Sequence, residues 1–194
     1  MQRQITFRQY RAMDLFFFSL MLTVSETLIT LGATIWFPGE PYTVSLSCAV
    51  MAIVMVRWGV WAAVPVTAGN LAFCLVSGAA PAQYAIYVLG SLAGLAVLPL
   101  LKKKGWQTLH DNVLFALLYG LLCALGMQGG RFLVALAFGN SLQVCAGFFT
   151  TDILSTLFSV LLVWIARKLD GMLEEQTHYL KRIQEEKEKE MQRY

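Results

Sequence analysis

The chain has 194 residues, of which 57% are hydrophobic and only 14% charged, and its mean hydropathy is +0.59. Soluble domains average about 45–50% apolar and about 25% charged residues, and the apolar residues here gather into runs close to the ~20 residues that cross a bilayer. This excludes a soluble globular domain and points to an all-α polytopic membrane protein; the net charge of +3 sits at predicted loop ends rather than on one surface, so no nucleic-acid binding is expected.

Residues 1–13 form a predicted cytoplasmic segment carrying Arg3, Arg8 and Arg11. The first apolar run is too long for the core of a secretion signal, and no small-residue cleavage site leads into a soluble domain, so no cleavable signal is expected. Helix one is predicted from Asp14, read as its N-cap, to Phe37, where "FPGEP" stops it. Helix two covers Tyr42 to Val56 and ends at Arg57, short enough to be tilted or to cross incompletely. Helix three runs from near Trp58 to Ser77, with Pro65 and Gly69 inside it, and ends at the breaker cluster "SGAAPA". Helix four covers Ala82 to Leu101 and ends in "KKKGW". Helix five begins at the capping pair Asp111–Asn112 and is apolar to Met127; the segment "QGGRFLVALAFGN" then extends it or forms a short outer helix or lid. Helix six covers Ala146 to Ala166. Residues 14–168 thus make a six-helix transmembrane domain, and 169–194 a charged cytoplasmic tail that reads as helix six prolonged into water, with a thin stripe of Leu169, Met172, Leu173, Leu180 and Ile183.

The charges test this topology. Cytoplasmic loops of membrane proteins carry an excess of Lys and Arg. With both termini inside, 14 of the 15 basic residues fall on the cytoplasmic side, and Arg131 alone does not. Cys48, Cys74, Cys123 and Cys145 lie singly within apolar runs, as small packing residues do.

Polar residues inside the spans come next, because an ionisable group in hydrocarbon costs a few kcal/mol, about 2.5–3.5 on insertion scales. At 1.5 Å per residue, Glu26 lies ~18 Å above the inner end of helix one, near mid-membrane. Asn70 in helix three has a similar depth, and Asp152 lies ~22 Å up, in the outer half. Gln128 and Arg131 fall at the outer end of helix five, Gln83, Tyr84 and Tyr87 in the outer part of helix four, and Trp36 at the outer end of helix one. All are in the middle or outer membrane, the distribution expected of a pocket open to the outside with Glu26 and Asn70 at its floor. Each also has a structural reading: a carboxylate bonded to a neighbouring helix, an ion pair, helix–helix glue at Asn70, or an interfacial aromatic belt. The motifs Gly90–Gly94 and Gly126–Gly130 have GxxxG spacing and allow close helix approach. Ser19, Thr23 and Thr27 fall at i, i+4 and i+8 and share one face of helix one, suited to a second membrane protein, with Glu26 about 100° away from Thr27.

No enzyme, cofactor or metal is expected. His110 and His178 both lie on the cytoplasmic side, no P-loop GxxxxGK[ST] occurs, and no metal-ligand cluster appears.

Six spans, internal termini, the stretch "YTVSLSCAVMAIVMVRWGVWAAVPVTAGNLAFCLVSG" and the segment "QYAIYVLGSLAG" together resemble the substrate-binding S components of energy-coupling factor (ECF) transporters, over roughly Asp14 to Lys168. The resemblance implies a subunit that captures a vitamin-like or other small micronutrient from outside. A transmembrane coupling subunit and two cytoplasmic ATPases then drive its release inside as the subunit topples in the lipid bilayer. Helix one of that family commonly meets the coupling subunit through alanines spaced by four; here Ser19, Thr23 and Thr27 stand on the corresponding face. The nickel and cobalt members carry an N-terminal Met-His segment, and "MQRQ" does not match it, which argues against a metal substrate. The charged tail also exceeds the usual pattern. Glu26 and Asp152 against Arg131 give the inferred pocket a slight acidic excess, and nearby Tyr and Trp suit a flat or cationic ring, so a heterocyclic micronutrient, with or without an amine, is the ligand expected. The competing readings are a six-helix scaffold similar to the rod-shape MreD family, with no ligand, and a stand-alone transporter or channel, which the scarcity of polar residues in the inner half disfavours.

Overall fold

A computed structural model of the chain describes residues 6–38 and 44–191, and every regular element among them is helical. The expected start of helix two at Tyr42, and the basic residues Arg3 and Arg193, lie outside the described residues.

Helix α1 spans Phe7–Trp36 and starts earlier than the sequence suggests. Thr6 is its cap: the Thr6 hydroxyl accepts from Gln9 N at 3.4 Å, and the Gln9 carboxamide accepts from Thr6 N at 3.0 Å. This reciprocal pair meets two of the amides a helix start leaves free. Asp14 is therefore not a cap. It sits two turns inside α1, and its carboxylate receives Arg57 Nε and Nη2, both at 3.0 Å, and Trp58 Nε1 at 2.5 Å. One stripe of α1 is buried, Leu15, Phe18, Leu22, Glu26 and Thr30. It lies along α3 (Ala63–Val76). Gly69 makes that contact possible, since a Cβ there would stand 2.5 Å from Leu22 Cγ.

Helix α2 (Ser47–Trp58) is the centre of the bundle, with every residue except Ile53 buried. An apolar surface all round is what a fully enclosed helix needs. Between α2 and α3 the chain makes one 3₁₀ turn, Gly59–Ala62. A straight helix would put Ser47 and Asn70 ~35 Å apart, yet the Ser47 hydroxyl lies 3.0 Å from Asn70 Oδ1. The segment thus folds back on itself at Gly59, whose φ of +60° is accessible to a residue without a Cβ. A later helix, over residues 113–137, braces α2 from another side, where buried Tyr119 donates to the Ala52 carbonyl at 2.8 Å.

The next segment is irregular: α4 (Pro81–Ala85), a π-helical turn (Ile86–Gly90), a 3₁₀ stretch (Leu92–Val97) and α5 (Leu98–Lys104). A short α6 (Gln107–Asp111) leads to α7 (Val113–Ala137), capped by the Asn112 side chain on Phe115 N at 3.1 Å. Residues 128–137 continue α7 without a break, so no separate outer helix forms there. The two GxxxG motifs meet each other. A Cβ on Gly130 would overlap the Gly90 carbonyl oxygen, and one on Gly126 would stand 3.1 Å from Gly94 Cα. Backbone thus packs on backbone between the fourth segment and α7.

Helices α8 (Leu142–Thr151) and α9 (Ile153–Ala166) form the last long segment, interrupted at Asp152. The tail does not prolong α9 into water. The helix ends at Ala166, the chain turns through Gly171 at φ +67°, and α10 (Gln176–Met191) begins. The turn is tied to the body: Leu173 is buried in the main core, Arg57 Nη1 donates to the Gly171 carbonyl at 2.6 Å, and Tyr10 Oη donates to Gln176 Oε1 at 3.1 Å. Arg182 bridges Asp170 at 2.8 Å and Glu174 at 2.9 Å, which holds the Asp170 carboxyl below its ordinary range. The N-terminal turns of α1, the Gly59 turn, and the residues after α9 therefore gather at one end of the bundle.

Five helical segments are long and apolar enough to cross a membrane: Phe7–Trp36, Ser47–Val76, Pro81–Lys104, Val113–Ala137 and Leu142–Ala166. The fold is that of a membrane-embedded helical protein.

The glycine contact gives a direct test. Gly130→Ala is expected to destabilise the bundle by about 1–3 kcal/mol, the usual cost of overpacking, whereas Gly129→Ala, which meets open space, stays within about 0.5 kcal/mol of the parent. Unfolding in mild detergent compares them, and equal stability of both variants would refute the backbone contact.

Candidate functional site

Polar side chains from every long segment converge in the half of the bundle away from the Gly59 turn. Glu26 comes from α1, Ser45 and Ser47 from the lead into α2 and its first residue, and Asn70 from α3. Tyr87 and Ser91 come from the π-helical turn and its end, Gln128 and Arg131 from α7, and Asp152 from the break between α8 and α9. Glu26, Asn70, Gln128, Arg131 and Asp152 are all buried, with Glu26 1% and Asn70 2% exposed.

The cluster has two parts. In the first, Glu26 Oε1 receives the Ser45 hydroxyl at 2.7 Å and Leu46 N at 2.8 Å, and Ser47 Oγ, whose closer partner is Asn70 Oδ1 at 3.0 Å, lies 3.3 Å away. Leu46 stands at the N-cap of α2 and has no side-chain cap of its own. The carboxyl group of α1 thus supplies the acceptor that the start of α2 needs, at the positive end of that helix's dipole.

In the second part, Arg131 is enclosed on all sides. Nη1 donates to Asp152 Oδ2 at 2.7 Å and lies 3.5 Å from Gln128 Oε1, and Nε donates to Ser91 Oγ at 2.9 Å. Gln128 Nε2 donates to the same Asp152 oxygen at 2.7 Å. The Tyr87 ring lies under the guanidinium at 4.9 Å and packs on Phe73 at 4.8 Å. A charge pair in hydrocarbon survives only with such hydrogen bonds around it. Ser45 ties Glu26 to α9, because its amide donates to Ser155 Oγ at 3.0 Å while its hydroxyl serves Glu26.

The expected open pocket is not what the side chains form. They close on one another and leave two cavities of about 10 Å³ each, one lined by Asn70, Phe73, Tyr87, Arg131 and Asp152 together with Val44 and Ser45. Each has the volume of a single water molecule. Asn70 Nδ2 is buried without a hydrogen-bond partner among the described residues.

Three of the expected site residues stand apart from the cluster. Trp36 is 75% exposed at the end of α1. Gln83 is exposed and caps its own helix, accepting from Ala80 N at 2.8 Å. Tyr84 is half-buried, about one turn from Tyr87, and does not line the cavity beside Arg131. On α1, Ser19, Thr23 and Thr27 are half-buried along the edge of the buried stripe, with the Ser19 hydroxyl donating to the Leu15 carbonyl at 2.7 Å. Beside them runs an exposed apolar face that includes Phe16, Leu20, Val24, Leu28 and Leu31. The sequence did not single out Ser45, Ser47 and Ser91. Serines are common in membrane helices, and only the fold-back and the glycine contact bring these three to the carboxylates and the guanidinium.

Among the described residues no group of His, Cys, Asp and Glu is placed to hold a metal ion. Comparisons with protein-family profiles, with curated proteins and with solved structures find no match to this chain.

Removing one partner of a buried pair leaves the other charge uncompensated, a loss of about 3–5 kcal/mol. Arg131→Met is therefore expected to lower stability by about that amount, and the Arg131→Met, Asp152→Leu double variant by less than Arg131→Met alone. Unfolding in detergent measures both, and strictly additive losses would mean that the two charges do not act as a pair.

Proposed function

We propose that this chain is the substrate-capture subunit of an ECF-type importer, binding a small micronutrient from outside and passing it inward with a transmembrane coupling subunit and two cytoplasmic ATPases. The observation that carries the proposal is the convergence of polar side chains from every long helical segment on one buried cluster. A packing role alone asks for scattered polar contacts, whereas a binding site draws a few polar groups together inside an apolar wall. In this reading the fold-back at Gly59 makes α2 and α3 two passes, for six in all. The end holding Arg57, Lys102, Lys103, Lys104, Arg167 and Lys168 faces the cytoplasm, as do both termini. The cluster then lies in the outer half, where a ligand arrives. The edge of α1 formed by Ser19, Thr23 and Thr27, with the apolar face beside it, docks the coupling subunit.

The tight closure of the cluster favours one rival, an MreD-like scaffold in which the same network only holds helices together. Co-expression with a coupling subunit and its ATPases separates the two. The importer reading expects a stable complex and a small molecule released from it on denaturation and identified by mass spectrometry. It also expects Arg131→Ala to weaken binding of that molecule at least about tenfold, as loss of a charged hydrogen bond does. A chain that purifies alone, without any bound molecule, supports the scaffold.

A further inference from the structure

The charges in the cluster suggest a cationic ligand, but the contacts point the other way. Asp152 Oδ2 is held by Arg131 and Gln128, and Glu26 Oε1 is occupied by the Ser45 hydroxyl and the Leu46 amide at the start of α2. One oxygen of each carboxylate is thus engaged within the protein. What is left over at the cavity beside Asn70 is donor capacity. Asn70 Oδ1 meets the Ser47 hydroxyl at 3.0 Å, while Asn70 Nδ2, in a residue 2% exposed, has no hydrogen-bond partner among the described residues. Arg131, lining the same cavity, directs Nε and Nη1 to protein oxygens, and its Nη2 makes no hydrogen bond among the described residues. A buried amide donor left unmet costs about 1–3 kcal/mol, so a ligand that meets it gains selectively over one that does not.

We infer that the molecule taken up at this cluster presents an acceptor oxygen, a carboxylate or a carbonyl, to Asn70 Nδ2 and Arg131, and that Asn70 sets this preference. The inference rests on the substrate-capture reading of the same site. The cavity of about 10 Å³ accommodates one oxygen atom. Its aromatic wall, Phe73 and Tyr87, faces the remainder of the molecule and suits a flat ring. Tyr87 stands on the π-helical turn, and its contacts are with the rings of Phe73 and Phe148 and with the Arg131 guanidinium. An ammonium group at the same position would confront the Arg131 charge and leave the Asn70 amide unmet.

Three probes of one size test this on the full chain in lipid nanodiscs: benzoate, benzamide and benzylamine, with binding read by calorimetry. Benzoate and benzamide are expected to bind, with benzylamine at least about tenfold weaker. Asn70→Leu, close in volume and without the amide, is expected to weaken both oxygen-bearing probes at least about tenfold and to leave benzylamine unchanged. Benzylamine binding as well as benzoate, no binding of either oxygen-bearing probe, or equal benzoate affinity in Asn70→Leu overturns the inference. The probe ranking in the parent chain holds independently of how the variant folds. It is also separate from complex formation with ATPases, so failure of the importer reading and failure of this inference give different results.

Discussion

The structure depends on how the start of α2 is satisfied. A helix that begins inside a bundle, beyond the reach of water, exposes amides that must find acceptors within the protein. Glu26 provides one from α1, and that single carboxyl oxygen gathers the Leu46 amide and the Ser45 hydroxyl, with Ser47 Oγ 3.3 Å away. Ser47 passes the contact on to Asn70 of α3. Three segments are locked at one point, and α1 lies in its groove on α3 with Leu22 seated over Gly69 because that point fixes its rotation. The carboxylate that is most costly by composition is the one that organises the central helix.

The second constraint is distance. Arg131 reaches Ser91, Tyr87 and Asp152 together only because α7 lies almost backbone to backbone on the fourth segment, through Gly126 and Gly130 against Gly94 and Gly90. The π-helical and 3₁₀ stretches between Ile86 and Val97 coincide with this contact. Departures from regular α-helix of this kind are frequent at functional positions, and here one turns Tyr87 under the guanidinium.

Much of this was legible in the sequence, for physical reasons. Long apolar runs, breaker clusters and basic loop ends gave the helical segments and the end at which the positive charges collect. Depth counting along each helix put Glu26, Asn70, Gln128, Arg131 and Asp152 in one region, since a rise of 1.5 Å per residue converts position into height. Height says nothing of azimuth, and this is why Trp36, Gln83 and Tyr84 were grouped with residues they do not meet. The cap of α1 was misplaced because Asp14 has the right chemistry for a cap, and nothing local shows that Arg57 and Trp58 claim its carboxylate. The tail was read as a continuing helix because its stripe is thin; Leu173 finds its partners only in residues distant along the chain.

The two arginine–aspartate pairs differ in burial and in how completely their surroundings are hydrogen-bonded. Asp14 and Arg57, at the basic end, have complete partners: all three guanidinium nitrogens of Arg57 donate, two to Asp14 and one to the Gly171 carbonyl, and Trp58 donates to the same carboxylate. Nothing there is left to recognise another molecule, and the pair anchors the turn that leads into α10. Arg131 and Asp152 are buried more deeply, with side chains 3% and 7% exposed against 10% and 15% for Arg57 and Asp14, and beside them the Asn70 amide nitrogen has no hydrogen-bond partner among the described residues. The charges are alike in the two places. Burial and the completeness of hydrogen bonding differ, and an unmet donor in a low-dielectric interior is retained at a cost to stability.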